Sequence, residues 1–321
     1  MKCLCCGKEI DNTATDELRT KWHRRCVRSF FGTESLPTLY IKRDQLTKLV
    51  EVNIEEGLTI PGVQKKMSLH LDSNGSTARL TLIDYPTGYI LKPQADEYAH
   101  LPEYEWLGMH LAESLGVKVV PFALYDTSEE LVYLTKRIDR NFTSDIAQCF
   151  AMEDFCQLSE RLAEDKYKGS YESCVRIIRK YSKTPGIDIA ELFLRIIVSY
   201  ILGNSDLHLK NLSLIEAAPG ERDFALSKAY DILPVKAVEP RDLDELALSL
   251  NAKKRDLTRQ DFLDFAEYCK LGSSVAIKMI TKLNEKMPEI TAAIQNSFLS
   301  STERRLLTKL IDSRLSNLIA I

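Results

Sequence analysis

Nine consecutive residues hold the densest set of reactive groups in the chain: Gly203-Asn204-Ser205-Asp206-Leu207-His208-Leu209-Lys210-Asn211. A very apolar run, Leu192 to Leu202, leads into them, and Leu212 to Ile215 leads out. Polar groups set between two segments that seek burial must be paired or exposed, because an unpaired polar group in a core is costly. A polar turn at a helix end would meet that demand. The spacing points to chemistry instead. Asp206 and Asn211 stand five positions apart, the separation of the proton-accepting carboxylate and the cation-binding amide in a phosphoryl-transfer loop. A second carboxylate able to hold a divalent cation follows a short strand and turn later, in Ala229-Tyr230-Asp231-Ile232. No Phe-Gly follows Asp231, so this motif is degenerate.

A different chemistry is written near the start. Cys3-x-x-Cys6 and His23-x-x-Cys26 are pairs with the ligand spacing of tetrahedral zinc. Four protein ligands fill a structural site and leave Cys5 as a spare thiol; chance clustering of thiols is the plain alternative. Zinc there would fold a segment too small to hold its own core. The other four cysteines, Cys149, Cys156, Cys174 and Cys269, sit in apolar contexts and read as buried free thiols.

These groups need elements to position them. The sequence predicts a short helix over 44–52, then a loop over Gly57–Lys66 from its Gly and Pro content. Strands are expected over Met67–Leu71, Ala78–Ile83 and Tyr89–Lys92, with a turn at Ser73-Asn74-Gly75-Ser76. Loop, hairpin, then a strand ending in lysine is the order of a kinase amino-terminal lobe, where loop backbone covers phosphates and the lysine pairs with them. The loop lacks G-x-x-x-x-G-K-[ST], which disfavours a P-loop NTPase. Taken alone it would equally fit a basic surface turn. A helix over Leu101–Gly116 carries Glu105 near its start, the candidate to hold Lys92; Glu103 and Glu97 are the other acids in reach. Val117–Leu124 and Leu131–Thr135 read as strands. Lys136-Arg137-Ile138-Asp139-Arg140 reads as a connector between lobes or as a charged strand end. Helical periodicity then marks Met152–Leu162, Ser170–Tyr181, Asp188–Leu202, Thr258–Leu271 and Ser301–Leu318. Glu191–Leu202 is apolar on nearly all sides and should be a buried spine.

Composition sets outer limits. With 321 residues, 45% hydrophobic and 28% charged, the chain is an ordinary globular protein with room for two lobes. A net charge of -3 gives no reason to expect direct nucleic-acid binding. The apolar window Phe193–Leu202 is too short to span a bilayer, and the first residues lack an apolar signal core. The expected setting is therefore the cytoplasm, away from membranes.

Taken together, Gly62-Val63-Gln64-Lys65-Lys66-Met67-Ser68-Leu69, Ile90-Leu91-Lys92-Pro93, Leu134-Thr135-Lys136-Arg137-Ile138-Asp139-Arg140, Glu153-Asp154-Phe155-Cys156-Gln157, Gly203 to Asn211 and Tyr230-Asp231 resemble the HipA-like kinases. These are serine/threonine protein kinases of bacterial toxin–antitoxin systems. The match runs from about Gly57 to the carboxyl terminus. The resemblance implies an α+β, bilobal, protein-kinase-like fold. A β-rich amino-terminal lobe would span 39–140 and an all-helical lobe with the catalytic loop 141–321, behind a zinc-knuckle-like segment at 1–38. It implies ATP and magnesium as cofactors, Asp206 as the base, and Asn211 and Asp231 as magnesium ligands. Lys92 would pair with the phosphates, and Pro61, Gly62, Val63, Gln64, Lys65 and Lys66 would cover them. By the same resemblance Lys136 and Ile138 would contact adenine at the hinge, and His208 and Tyr230 would line the nucleotide site.

Two departures matter. Full-length HipA carries an extra subdomain before the loop, whereas about fifty-six residues precede it here. That layout is similar to the short HipT-type kinases, whose missing subdomain is a separate small protein. The family also often carries serines just before the loop that undergo autophosphorylation; here Thr59 stands at the first such position and Pro61 at the second. A phosphate on Thr59 would add a charge of about -2 beside the loop. The implied partners are a protein substrate such as an aminoacyl-tRNA synthetase, a HipB-like DNA-binding antitoxin and a small HipS-like protein. Two other readings fit the same residues: a kinase of this fold acting on a small molecule such as an amino sugar, and an inactive kinase fold serving as a zinc-knuckle binding module.

Overall fold

The computed structural model describes residues 1–39, 66–72, 78–81, 87–141 and 148–320. The helix over 44–52, the loop up to Lys65 with Thr59, and the turn at 73–76 lie outside these residues. The chain divides into two compact units. One comprises Met1–Trp106 and Val120–Ala147; the other comprises Leu107–Val119 and Gln148–Ile321. No helix among the described residues is long and apolar enough to cross a membrane.

The first unit is built on a six-stranded sheet. In spatial order the strands are Thr38–Leu39, Arg79–Thr81, Met67–Asp72, Tyr89–Lys92, Leu131–Lys136 and Phe122–Asp126. The first pair is parallel and all other neighbours are antiparallel. The inner strands are rich in the aromatic and branched residues that suit a pleated surface, with Tyr89, Leu91, Val132, Tyr133 and Leu134 all buried. Tyr125, on the last strand, donates its hydroxyl to the Pro37 carbonyl at 2.9 Å and accepts from the Leu39 amide at 3.2 Å. The sheet therefore curls until its two edges approach.

The amino-terminal segment is knit into this unit. Two short helices, Thr15–Thr20 and Arg24–Phe31, bring Phe30 and Phe31 against Tyr89 with ring centroids 5.8 and 5.4 Å away. The Leu124 amide donates to the Leu4 carbonyl at 2.9 Å, and Lys21 pairs with Asp126 at 2.5 Å. The strand expected over Val117–Leu124 is found at Phe122–Asp126: Leu115 and Gly116 turn the chain out of the helix Leu101–Ser114, and Val119 forms a single parallel bridge to Ala229.

The second unit is organised around the helix Pro185–Leu202. Pro185 opens it at the first helical position, where a missing N–H costs nothing. From Leu192 to Leu202 every residue but Leu194 is buried, which is the spine that the sequence predicts. Phe193 stacks on Phe265 at 6.1 Å, Tyr200 packs on Phe262 at 5.1 Å, and the Arg314 guanidinium lies 4.6 Å from the Tyr200 ring centroid. Helices Tyr171–Tyr181, Arg259–Tyr268, Ser273–Glu285, Met287–Gln295 and Ser301–Ile319 belong to the same unit.

Several expectations are corrected here. The lobe is not all-helical: Met152–Asp154, Ser213–Glu216 and Phe224–Leu226 form an antiparallel three-stranded sheet. The helix expected over Met152–Leu162 is a strand followed by one turn, Phe155–Leu158. Asp154 ends the strand by capping that turn, accepting from the Gln157 amide while Gln157 returns the bond. The helix expected over Thr258–Leu271 stops at Tyr268, and two further helices follow that periodicity did not mark. Of the four cysteines read as buried, Cys149 is exposed.

Candidate active site

In the first unit the structure brings Lys92 and Glu105 together. Lys92 closes a central strand whose register sets it opposite Tyr133, and Glu105 sits in the first turns of the helix Leu101–Ser114. The ammonium lies 2.7 Å from Glu105 Oε1, with the side chains 7% and 1% exposed. The same ammonium stands 5.7 Å from the Tyr133 ring centroid. Taking two charges out of water costs several kcal/mol each, so such a pair is poor evidence of stabilisation and needs another reason to exist. Glu103, two positions earlier, is also buried, and Glu97 is exposed. Lys136 ends the neighbouring strand, and burial pushes its ammonium below the usual lysine range. Ile138 follows, half-buried, between Arg137 and Asp139, which form a two-pronged pair at 2.9 and 2.6 Å. Of the phosphate-covering loop only Lys66 is described, half-buried just before the strand Met67–Asp72; Pro61, Gly62, Val63, Gln64 and Lys65 lie outside the described residues.

In the second unit the spine helix ends at Gly203, whose φ of 71° is the left-handed turn that stops it. The chain then folds back on itself. Asn204 Oδ1 accepts from the Asp206 amide at 3.1 Å, the Asp206 carbonyl accepts from the His208 amide at 2.8 Å, and Asn211 Nδ2 donates to the same carbonyl at 2.9 Å. Leu209–Asn211 form one 3-10 turn. The last of these bonds commits the Asn211 NH2 group inward. Its Oδ1, the donor suited to a hard cation, accepts no hydrogen bond among the described residues. Lys210 pairs with Asp154 at 2.6 Å and so ties the loop to the strand Met152–Asp154. His208 is 5% exposed, its Nδ1 has no hydrogen-bond partner among the described residues, and burial pushes the imidazole down to about 4. The ring is neutral at neutral pH.

Asp231 enters from the segment after the strand Phe224–Leu226. Its φ of 60° is a left-handed conformation that a non-glycine residue adopts at a cost of about 1 kcal/mol or more. The segment is fixed on both sides. Tyr230 donates to the Lys210 carbonyl at 3.1 Å and accepts from Ser213 Oγ at 2.6 Å. Ile232 lies so close to Gly108 that a Cβ there would stand 2.3 Å from the Ile232 oxygen and 2.8 Å from Pro234 Cδ. Gly108→Ala is expected to push the Asp231 segment away, costing about 1–3 kcal/mol as overpacking does and weakening magnesium-ATP binding. Denaturant unfolding and calorimetry check this pair of effects.

The structure adds a residue that the sequence reading missed. The Tyr167 hydroxyl donates to Asp206 Oδ1 at 2.5 Å, and its ring meets His208 edge-on at 5.0 Å. Lys166 lies over the same ring at 4.9 Å. Burial and the Asp206 carboxylate both push the phenol pKa up, so Tyr167 stays a donor. No spacing signal announces a contact across thirty-nine positions.

The amino-terminal cluster also assembles. One ligand atom each from Cys3, Cys6, His23 and Cys26 lies within 4.8 Å of all the others. His23 Nε2 is 3.1 Å from the Glu9 carbonyl, which can only accept, so that nitrogen carries the proton. The Nδ1 lone pair then faces Cys6 Sγ at 3.3 Å and Cys26 Sγ at 3.9 Å. This is the outer-shell support that metal-binding histidines need, and three thiolates with one imidazole suit zinc. The Cys26 and Cys3 thiols hydrogen-bond to Cys6 and hold it below the usual thiol range. The chain is expected to carry one zinc ion, and chelation to lower its melting temperature; elemental analysis and a thermal scan test this.

Comparisons with known proteins give the family and the fold. A model of the HipA-like C-terminal domain matches residues 58–292. A Haemophilus influenzae protein named "Putative kinase" is 26% identical over 276 residues, covering 76% of this chain and 77% of its own length. "Putative kinase Y4dM" of Sinorhizobium fredii is 29% identical over 251 residues, covering 73% and 59%. Among solved structures, a chain of the Shewanella oneidensis toxin–antitoxin complex of HipA, HipB and operator DNA superposes with a TM-score of 0.67 at 18% identity, covering 87% of this chain and 70% of that one. The Helicobacter pylori proinflammatory kinase CtkA gives 0.53 at 17% identity, covering 79% and 94%. At these identities the two structures speak to the fold, which is the mixed α+β fold of these kinases.

Proposed function

The chain belongs to the family of the HipA-like C-terminal domain, and from that premise we propose that it is an ATP- and magnesium-dependent serine/threonine protein kinase, the growth-restraining toxin of a toxin–antitoxin pair. Asp206 accepts the proton of the acceptor hydroxyl, and Tyr167 holds one of its carboxylate oxygens. Lys92, kept in place by Glu105, pairs with the phosphates. Asn211 and Asp231 hold magnesium, which when bound offsets the charge that spreads over the transferring group. Pro61 to Lys66 cover the phosphates, Lys136 and Ile138 contact adenine, and neutral His208 with Tyr230 lines the nucleotide site. The observation that supports this most is the Asp206–Asn211 loop. Its side-chain amide and backbone bonds fix a carboxylate and a hard-cation donor in one turn, which a merely polar turn does not require.

The substrate is proposed to be a cytosolic protein such as an aminoacyl-tRNA synthetase, and the partners a HipB-like antitoxin and a small HipS-like protein. Radiolabelled ATP incubated with the enzyme and cell extract tests the acceptor class. Label is expected in a protein band. Label confined to small solutes would make it a small-molecule kinase, and no transfer at all would reject the activity. Thr59 is proposed as an autophosphorylation site; mass spectrometry after incubation with ATP and magnesium should find its phosphate, and an unmodified Thr59 in active protein rejects that assignment.

A further inference from the structure

We propose that the Cys3, Cys6, His23 and Cys26 metal centre is the brace that sets the helix bearing Glu105, so that metal occupancy governs the Lys92–Glu105 pair. The inference rests on reading that pair as the one that holds the phosphates. Two of the metal's ligands, Cys3 and Cys6, belong to one tight turn: the Gly7 amide donates to the Cys3 carbonyl at 2.8 Å, and the Cys3 amide to the Lys8 carbonyl at 2.9 Å. Trp106 grips that turn. Its indole N–H donates to the Cys5 carbonyl at 3.1 Å, and its ring lies so near Gly7 that a Cβ there would stand 2.8 Å from Cη2. Trp106 is 2% exposed and follows Glu105 directly in the helix Leu101–Ser114.

The other partner is referenced to the same segment. The Leu124 amide bonds the Leu4 carbonyl, Lys21 pairs with Asp126, and Phe30 and Phe31 pack on Tyr89, which begins the strand that ends in Lys92. Glu105 is thus located through Trp106 and Lys92 through the sheet, and both routes converge on residues 3–31. That segment holds two helices of six and eight residues, too short to persist by their own propensity. A structural metal supplies the folding free energy such a segment lacks. When the metal leaves, the Cys5 carbonyl and the Gly7 backbone lose their fixed places. The indole then loses its bond to the Cys5 carbonyl, and Glu105 drifts from Lys92.

Hydrogen exchange with mass spectrometry on the full chain tests this, with zinc content measured in every sample. The forms compared are the zinc-loaded chain, the chain stripped by a chelator, and two zinc-loaded variants, Trp106→Phe and Gly7→Ala. Peptides covering 101–106 should exchange about 3- to 10-fold faster in the stripped chain and in both variants, the range a lost hydrogen bond of this kind gives. The variants should keep their zinc. Phosphoryl transfer in them should fall by a similar factor. Unchanged exchange at 101–106 in the zinc-loaded variants would overturn the proposal, because it would leave the metal holding only its own segment. So would a chain that neither carries zinc nor takes it up. Faster exchange in a chain that shows no phosphoryl transfer in any form would uphold the brace and reject the kinase activity instead.

Discussion

Asp206→Asn and Asp206→Ala are each expected to lower the rate of phosphoryl transfer by about 10²- to 10⁴-fold, the span that a positioned general base supplies, while the fold survives. The survival follows from how the loop is held. The Asp206 side chain is 39% exposed, and the turn is closed by the Asn204 side chain, the His208 amide and the Asn211 amide acting on Asp206 backbone atoms. These substitutions touch none of those bonds. Asp206→Ala also gives up the hydrogen bond from Tyr167, worth about 1 kcal/mol, whereas Asp206→Asn keeps an oxygen that can accept it. Incorporation of labelled phosphate and a thermal scan check the two halves. Full transfer in Asp206→Ala would remove Asp206 from the mechanism.

Glu105→Ala has the second large effect, and it strikes both stability and activity. It removes the carboxylate 2.7 Å from the Lys92 ammonium, at a place where only 7% of the lysine side chain meets solvent. Breaking a buried pair from one side costs about 3–5 kcal/mol, which denaturant titration reads as a lower midpoint. The more telling variant removes both charges. Lys92→Met with Glu105→Leu exchanges a desolvated pair for apolar packing, so its stability should stay within about 1–2 kcal/mol of the parent or rise above it. Its transfer rate should nevertheless collapse, because no ammonium remains to pair with the phosphates. A double variant that is stable and still active would make the pair structural.

The contrast between these predictions reflects what the sequence could carry. Spacing within one turn is legible, so Asp206 and Asn211 could be read directly, as could the cysteine and histidine pairs. The Lys92–Glu105 pairing was legible because a strand ending in lysine and a helix opening with glutamate are both strongly patterned. Tyr167 was not, because its meeting with Asp206 depends on how the segment 159–170 crosses the loop. At Met152–Asp154 apolar residues at helical spacing masked a strand. Sheet pairing with Ser213–Ile215 overrode local propensity there. The Asp154-x-x-Gln157 capping box was present in the text and marks the true helix start. Similarly, Gly272 before Ser273 and Pro288 near the start of Met287–Gln295 were boundary signals for the two helices that apolar periodicity passed over. The brace formed by Trp106 and Gly7 joins residues a hundred positions apart, and no local pattern encodes it.

The most direct measurement is a calorimetric titration of magnesium-ATP into the full chain, its Asp206→Ala variant and its Asp231→Asn variant. The account predicts one site per chain, binding in Asp206→Ala within a fewfold of the parent, and at least tenfold weaker binding in Asp231→Asn, which loses a charged metal ligand. No binding heat in the parent chain, or equal affinity in Asp231→Asn, would contradict it.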